Sequence, residues 1–370
     1  APLPARIVEL PEADAELYDA LVLGTRDYVL KNGFTDVVVA LSGGIDSTIV
    51  ACVAVDALGA DHVHGVSMPS RYSSDHSKTD AADLAQKLGI DFFTIGIEPA
   101  FAAYLEMTAE SFAGRAPDLT EENLQSRIRG TTLMALSNKF GWMVLTTGNK
   151  SEIAVGYFTI YGDSVGGYGV IKDVLKTRVY DLCRYVNRRD GRATINEHVI
   201  TKPPSAELRP DQRDDQSLPP YEVLDPILAL YVEDDRTAGE IIEMGHDEAI
   251  VRRITRLVDL NEYKRRQCPP GVRVSATAFG TDRRLPITNG YRGQRGLTRE
   301  STNTVQAASA AHSSGGHAMP WCTYNQVAGM DAVARPKVPI VNMSAMPLAA
   351  APGTTPVPSG TKLPTENSRG

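Results

Sequence analysis

The sequence predicts an α/β protein with a doubly wound parallel sheet of about five strands, followed by C-terminal helices and a long tail. Short apolar, β-branched runs alternate with longer stretches of helical periodicity. A glycine-rich turn follows the first of these runs at Ser42-Gly43-Gly44. Helical connections between strands favour right-handed crossovers, and ligands then bind at the carboxyl ends of the strands.

Four strands and their flanking helices can be placed from the pattern. A lead-in helix is expected over 12–32, and Gly89 is typical of a helix C-terminus. The region 221–266 is predicted to be helical because its apolar residues recur every three to four positions. The remaining expected elements are strands at 36–41, 62–68, 91–97 and 142–146, and helices at 46–58, 74–88, 99–113 and 120–140.

Composition restricts the class of protein. The chain has 370 residues and a formal charge of −7, which argues against general nucleic-acid binding. No apolar run approaches the roughly 20 residues of a membrane helix, so no membrane partner is expected. The cysteines show no metal-binding spacing, which favours idle thiols in the cytoplasm. They are Cys52, Cys183, Cys268 and Cys322.

Three regions are predicted along the chain. Residues 1–35 form a lead-in segment, 36–290 the principal domain, and 291–370 a low-complexity tail. The tail is rich in Ala, Ser, Thr, Gly and Pro, and such a composition predicts disorder. The chain starts at Ala1 without an initiator Met or an apolar signal core, so we expect it to be part of a longer protein.

The segment Ser42-Gly43-Gly44-Ile45-Asp46-Ser47 is the strongest functional signal. Paired glycines let backbone N–H groups approach an anion, and the N-terminus of the next helix favours negative charge. A carboxylate such as Asp46 belongs beside phosphates chiefly when a divalent cation lies between them. No Lys follows the glycines, which excludes the Walker A pattern. The alternative is an ordinary strand–turn–helix junction.

A second group of polar residues follows the fourth strand. Thr147 lies at the predicted strand end, where a nucleotide could bind, and Glu152 could complete a cation site with Asp46. Alternatively, Asn149 only caps a helix, with Glu152 as the third residue of a capping box.

Seven sequence blocks in order show a family resemblance. The blocks are ALSGGIDS (40–47), ENLQSRIRG (122–130), TTGNKSE (146–152), GYFTIYGDSVGGYGVIKDVLKT (156–177), KPPSAELRPDQ (202–212), NEYKRRQCPPG (261–271) and FGTDRRLPI (279–287). With these blocks the chain resembles the synthetase portion of NAD synthetases, particularly the glutamine-dependent bacterial type, over about 30–290. The loop alone also fits GMP synthetase, asparagine synthetase and tRNA-modifying relatives.

The resemblance implies roles for individual residues. Asp46 would hold Mg²⁺, and Asp46 and Lys176 would act in catalysis. Glu152 matches a metal ligand in one type of relative and a dinucleotide contact in the other, and both roles stay open. The implied ATP-binding residues are Ala40, Leu41, Ser42, Gly43, Gly44, Ile45, Asp46, Ser47, Thr147, Lys176 and Ser205. The implied deamido-NAD-binding residues are Asn123, Glu152, Tyr157, Phe158, Thr159, Ile160 and Lys264.

Several of these residues also have plainer interpretations. Lys264 could belong to a solvated helix end, and the aromatic residues Tyr157, Phe158 and Tyr161 could be part of a core. Arg127 and Arg129 could bind phosphates or lie on a helix surface. Ile160 stands where ammonia-dependent relatives carry Lys, which favours the glutamine-type pattern.

The resemblance also implies a reaction and its partners. Deamido-NAD would be adenylated by ATP, and ammonia would then displace AMP to give NAD. A glutaminase domain or subunit would supply the ammonia, and a homodimer is expected. No such domain precedes residue 36, so the chain is interpreted as a fragment or as an enzyme that uses free ammonia. The alternatives are another ATP pyrophosphatase of this type and a non-catalytic nucleotide-binding remnant.

Overall fold

A computed structural model describes residues 11–288 apart from 211, 213, 215 and 216. Five parallel strands form one sheet in the order β3-β2-β1-β4-β5. They are β1 (Val37–Ala40), β2 (Val63–Ser67), β3 (Asp91–Thr94), β4 (Met143–Thr146) and β5 (Tyr168–Gly169). The predicted tail and Cys322 lie outside the described residues.

Twelve α-helices accompany the sheet within the described residues. They are α1 (Ala13–Lys31), α2 (Ile45–Leu58), α3 (Asp75–Leu88), α4 (Glu98–Thr108), α5 (Leu119–Phe140), α6 (Lys150–Val155), α7 (Lys176–Asp190), α8 (Glu197–Thr201), α9 (Tyr221–Leu228), α10 (Ala238–Glu243), α11 (Glu248–Leu260) and α12 (Glu262–Arg265). A 3₁₀ turn (Ala60–His62) precedes β2 and a π-helical segment (Ala229–Glu233) follows α9.

The strands β1, β2 and β4 are buried on both faces, as their apolar runs predict, whereas the edge strand β3 is mostly exposed. Val37 and Val39 pack in a core with residues of α1, α2 and α7, whereas Val38 faces a second core with residues of α4 and α5. A third core joins α6, α9 and α11 beyond the carboxyl ends of the strands. The predicted doubly wound parallel sheet is thus confirmed.

Some elements differ from the sequence prediction. β3 ends at Thr94 rather than 97, although the Ile95 N–H still donates to the carbonyl of Ser67 at the end of β2 and the Ile97 N–H to that of Pro69. The single helical region expected over 221–266 is divided: α9 continues past Pro226 into the π-helical segment, and the chain then leaves helical geometry at Asp235, which has a positive φ of 51°. The pattern analysis placed no elements at β5, α7 and α8, and it gave a helix at α6 only through the capping box at Asn149.

Among the described residues, none of the helices is both long enough and apolar enough to cross a membrane.

Candidate active site

The turn between β1 and α2 opens at the carboxyl edge of the sheet, where the strand order reverses between β1 and β4. Gly43 has a positive φ of 73°, and a Cβ there would lie 2.2 Å from the carbonyl oxygen of Ser77. Only glycine fits both constraints. Ser47 donates its hydroxyl to the Gly44 carbonyl at 3.0 Å, which fixes the turn at the start of α2.

A charged cluster lies beside this turn. Lys176, the first residue of α7, donates its ammonium to Asp46 and lies 3.9 Å from Glu152 Oε1. Asn149 donates its side-chain amide to Asp46 Oδ1 at 3.2 Å. The first turns of α2, α6 and α7 therefore bring together two carboxylates, an ammonium and an amide that are far apart in the sequence.

The electrostatics of the cluster follow from burial and from the excess of acidic groups. Burial and the nearby Asp46 carboxylate raise the pKa of Glu152, although Lys176 opposes that shift. Burial alone would lower the pKa of Lys176, but Asp46 and Glu152 together raise it. The charged form of Lys176 is therefore favoured. The raised pKa of Glu152 means that its carboxylate binds a proton more readily than a free glutamate does, and a second cation nearby would stabilise its ionised form.

The capping-box interpretation of the segment after β4 is confirmed, and the cation-site interpretation stays a prediction. Asn149 accepts a hydrogen bond from the Glu152 N–H at 3.0 Å, and Glu152 Oε2 accepts from the Asn149 N–H at 3.3 Å. This is a capping box at the start of α6. The same two side chains also contact the Asp46–Lys176 pair, so the cap and the cluster are one structure. Thr147 lies partly buried between β4 and α6.

Residues buried behind the cluster position Lys176. The Ser151 hydroxyl accepts from the Lys176 N–H at 2.9 Å and donates to Asp225 Oδ1 at 2.5 Å. Asp225 Oδ2 accepts from the Thr177 N–H at 2.8 Å. Asp225 thus holds the N-terminus of α7, where a carboxylate is favoured.

The residues matched to dinucleotide binding form a second group. Thr159 donates its hydroxyl to Asn123 Oδ1 at 2.7 Å, which joins the segment after α6 to α5. Lys264 donates to the carbonyls of Gly156 at 2.8 Å and Phe158 at 3.0 Å. Lys264 thus lies in the last turn of a helix, as the plainer interpretation has it, but its side chain is half-buried and hydrogen-bonded rather than solvated.

The aromatic and arginine residues near this group differ in environment. Tyr161 is 68% exposed with a φ of 64°, so the core interpretation fails for it. Arg127 donates to the Ile160 carbonyl at 3.3 Å, and Arg129 donates to the Met68 carbonyl at the end of β2 at 2.9 Å. Burial lowers the pKa of Arg129 to about 10.

Asp214 connects the two groups and was not singled out from the sequence. It accepts hydrogen bonds from the Tyr157 hydroxyl at 3.3 Å and the Tyr221 hydroxyl at 3.1 Å. Burial raises its pKa. The sequence contains little indication of a role for Asp214, which lies two residues beyond the block 202–212. Asn149, by contrast, lies within the block 146–152.

Ser205 lies apart from the charged cluster. Its hydroxyl donates to the Gln212 carbonyl at 2.6 Å and accepts from the Glu207 N–H at 3.1 Å. The hydroxyl therefore bonds within its own segment, and the predicted contact of Ser205 with ATP phosphates stays a prediction.

A small cavity lies between the two groups. Its wall includes Gly148, Glu152, Phe158 and Lys172. The cavity thus adjoins both the capping box and the segment matched to the dinucleotide.

The described residues contain no group of three or more His, Cys, Asp or Glu side chains able to hold a metal. Mg²⁺, however, is commonly bound by one or two carboxylates together with substrate phosphates. Asp46 and Glu152 fit that donor set, since one cation, the Lys176 ammonium, already lies near both.

Comparison with known proteins gives consistent matches. The family model described as NAD synthase matches residues 17–268. The chain is 55% identical over 283 residues to the glutamine-dependent NAD(+) synthetase of Thermotoga maritima, covering 76% of this chain and 49% of the relative. It is 53% identical over 279 residues to that of Acinetobacter baylyi, covering 75% and 51%. The chain spans about half the length of these curated relatives.

Comparison with solved structures also finds synthetases. A glutamine-dependent NAD+ synthetase from Acinetobacter baumannii in complex with ADP is 45% identical with a TM-score of 0.53, covering 79% of this chain and 53% of that one. An NMN synthetase from Francisella tularensis is 26% identical with a TM-score of 0.59, covering 69% and 97%.

Proposed function

Since this chain belongs to the NAD synthase family, we propose that it catalyses the ATP-dependent amidation of deamido-NAD to NAD. In the first step a carboxylate oxygen of the nicotinate attacks the α-phosphorus of ATP. The bond from that phosphorus to the bridging oxygen breaks, and pyrophosphate leaves. In the second step ammonia attacks the acyl carbon, AMP leaves, and the nitrogen loses a proton.

The observation that carries this proposal is the cluster beside the glycine turn. A positive ammonium at Lys176 and the N-terminus of α2 lie where the developing charge of a departing pyrophosphate would need stabilisation. Asp46 accepts from the Lys176 ammonium and Ser151 accepts from the Lys176 N–H, while Asn149 holds Asp46 through its side-chain amide. Fixed groups of this kind need no rearrangement as charge develops.

The second group supports deamido-NAD as the acid substrate. Thr159, which follows Phe158 in the chain, donates to Asn123, and the Lys264 ammonium lies 5.4 Å from the centre of the Phe158 ring. An aromatic face next to a cation suits an acidic aromatic ring such as nicotinate. Tyr157 then links this subsite to the charged cluster through Asp214.

Mg²⁺ fits the proposed site. Asp46 and Glu152 would hold the ion, which supplies positive charge next to the ATP phosphates. The residues of this chain would then position ATP: the backbone of the glycine turn and the exposed Ser42 hydroxyl would face the phosphates, while Ser47 fixes the turn through the Gly44 carbonyl. Thr147 and Ser205 are proposed as further ATP contacts. Residues 36–290 are the proposed catalytic domain.

The nitrogen source and assembly are part of the proposal. We assign ammonia as the immediate donor, which a glutaminase domain or subunit supplies in glutamine-dependent relatives. A homodimer in the cytoplasm is also proposed, and light scattering of the purified chain tests the dimer.

The direct test is NAD formation from deamido-NAD, ATP and Mg²⁺, with ammonium or glutamine in parallel reactions. We expect NAD, AMP and pyrophosphate in equal amounts with ammonium. Asp46→Asn is the control that retains the shape of the site and loses its charge. Nicotinate mononucleotide serves as the competing acid, because an NMN synthetase shares this fold. Preference for the mononucleotide would overturn the substrate assignment, and no pyrophosphate with either acid would overturn the reaction.

A further inference from the structure

Glu207 makes an unusual set of contacts outside the cluster described above. Its carboxylate accepts from the Ser74 N–H at 3.2 Å, the Ser74 hydroxyl at 2.9 Å and the Ser77 hydroxyl at 2.7 Å. It therefore binds the N-terminal turn of α3 from 130 residues away in the sequence. A carboxylate is favoured at that end of a helix.

A neighbouring lysine strengthens this contact. Lys202 donates to the Ser77 hydroxyl at 3.2 Å and lies 3.5 Å from Asp80. Lys202, Ser77 and Glu207 thus form one chain of hydrogen bonds that ends on the Glu207 carboxylate. Leu208 is held separately, since its carbonyl accepts from Gln125 on α5 at 2.9 Å.

The backbone at Glu207 is itself constrained. Its φ is +49°, a left-handed conformation that a residue with a side chain keeps only when its surroundings hold it there. The Ser205 hydroxyl accepts from the Glu207 N–H at 3.1 Å and so helps to hold it. The carboxylate is thereby presented to α3.

The turn that Glu207 binds is the wall behind the glycine turn. Ser77 lies so close to Gly43 that a Cβ on Gly43 would meet its Cα at 2.8 Å as well as its carbonyl oxygen. A shift of the first turn of α3 would therefore change the space available to Gly43. Close packing transmits such displacements because there is no free volume to absorb them.

We infer that Glu207 is a positioning residue for the phosphate-binding turn, acting through Ser74 and Ser77. It touches no reacting atom. It fixes the first turn of α3, and that turn fixes Gly43, so loss of Glu207 weakens ATP binding and leaves the dinucleotide subsite unchanged. Naming ATP as the affected ligand rests on the proposed function.

The test combines hydrogen exchange with ligand binding. In Glu207→Ala we expect faster amide exchange in peptides covering 40–48 and 74–80, and an ATP dissociation constant raised about tenfold. Glu207→Gln should recover part of the affinity, because its amide oxygen still accepts from serine hydroxyls. Glu110→Gln, at an exposed position, is the matched control. In turnover, KM for ATP should rise while KM for deamido-NAD stays constant.

A mutant cycle separates this role from a general loss of stability. If Glu207 acts through Ser77, the double variant Glu207→Ala/Ser77→Ala should be no worse than Glu207→Ala alone. Additive effects, or unchanged exchange at 40–48 in Glu207→Ala, would overturn the inference. If exchange and ATP binding respond as expected but the wild-type chain makes no NAD, the proposed function falls and the positioning role stands.

Discussion

Two buried lysines in neighbouring helices show how similar charges can serve different ends. Lys150 opens α6 and Lys176 opens α7, and they are 1% and 2% exposed. Lys150 has four oxygen neighbours in three other parts of the chain. These are Glu233 Oε1 at 2.6 Å, Ser275 Oγ at 2.6 Å, the Thr277 carbonyl at 2.9 Å and Asp173 Oδ1 at 3.0 Å.

Lys176 is less completely surrounded. Within the described part of the chain its ammonium bonds only to Asp46, with Glu152 at 3.9 Å and the Tyr221 ring centre at 5.4 Å. The side chains of Asp46 and Glu152 are each 18% exposed, while the carboxylates around Lys150 differ, with Asp173 4% and Glu233 21% exposed, so the number of hydrogen bonds and not exposure separates the two lysines. An ammonium whose hydrogen-bond donors are all used stabilises the fold. An ammonium with unused donors beside a crevice can still bind a ligand.

The largest effect on activity is expected from Lys176→Met. Loss of the ammonium removes fixed positive charge beside the proposed pyrophosphate position, and kcat should fall by about 10²- to 10³-fold. The variant should still fold, because Glu152 can take up a proton once the lysine is gone. Steady-state assays with circular dichroism test both statements. Activity within threefold of wild type, roughly 0.6 kcal/mol, would contradict the catalytic role.

Lys150→Met should reverse this pattern. It leaves Asp173 and Glu233 without their cation, and removing one partner of a buried ion pair costs about 3–5 kcal/mol of unfolding free energy. Urea unfolding at pH 7 measures that cost. The kcat of the folded fraction should stay near wild type. If Lys150→Met lost activity but not stability, the distinction between the two lysines would be wrong.

The sequence predicted the parts of the molecule that depend on local pattern. The turn at Ser42-Gly43-Gly44 and the capping box at Asn149 use neighbouring residues, so both could be located before the fold was known. The strands β1, β2 and β4 were located to within a residue or two at each end for the same reason.

What the sequence could not supply is non-local. Lys176 meets Asp46 across 130 residues, and no spacing rule encodes that contact. β5 has only two residues, Tyr168 and Gly169, and is too short to show alternation. By contrast, α7 carries apolar residues at helical spacing, and this signal went unused. They are Val179, Leu182, Cys183 and Val186.

The free energy of unfolding should depend on pH through Glu152, the second carboxylate of the Lys176 cluster. Its folded-state pKa is raised above the ordinary 4.5, so the folded protein retains a proton that the unfolded chain releases. The stabilisation that the folded protein gains by retaining this proton is fully present below pH 4.5. It is lost as the pH rises through the folded-state pKa of Glu152. Glu152→Gln cannot lose the proton. It should therefore be more stable than wild type at pH 8, with the difference disappearing near pH 4.

Urea unfolding from pH 4 to 8 without nucleotide or Mg²⁺ measures this difference. Glu233→Gln is the matched variant at the Lys150 cluster, where the carboxylate is paired at 2.6 Å. It should lower stability at neutral pH instead of raising it. A parallel response of the two variants would show that the clusters do not differ electrostatically.

The smallest effect is expected where the cluster meets the dinucleotide group. Tyr157→Phe removes one hydrogen bond to Asp214, while Tyr221 still donates to the same carboxylate at 3.1 Å. Asp214 is left partly satisfied, so the cost should be about 0.5–1.5 kcal/mol, the net value of one hydrogen bond. The loss should appear as a raised KM for deamido-NAD with kcat nearly constant, because the substituted ring still packs against the core that joins α6, α9 and α11. An equal rise in KM for ATP would instead place Tyr157 with the charged cluster, and the boundary between the two groups would move.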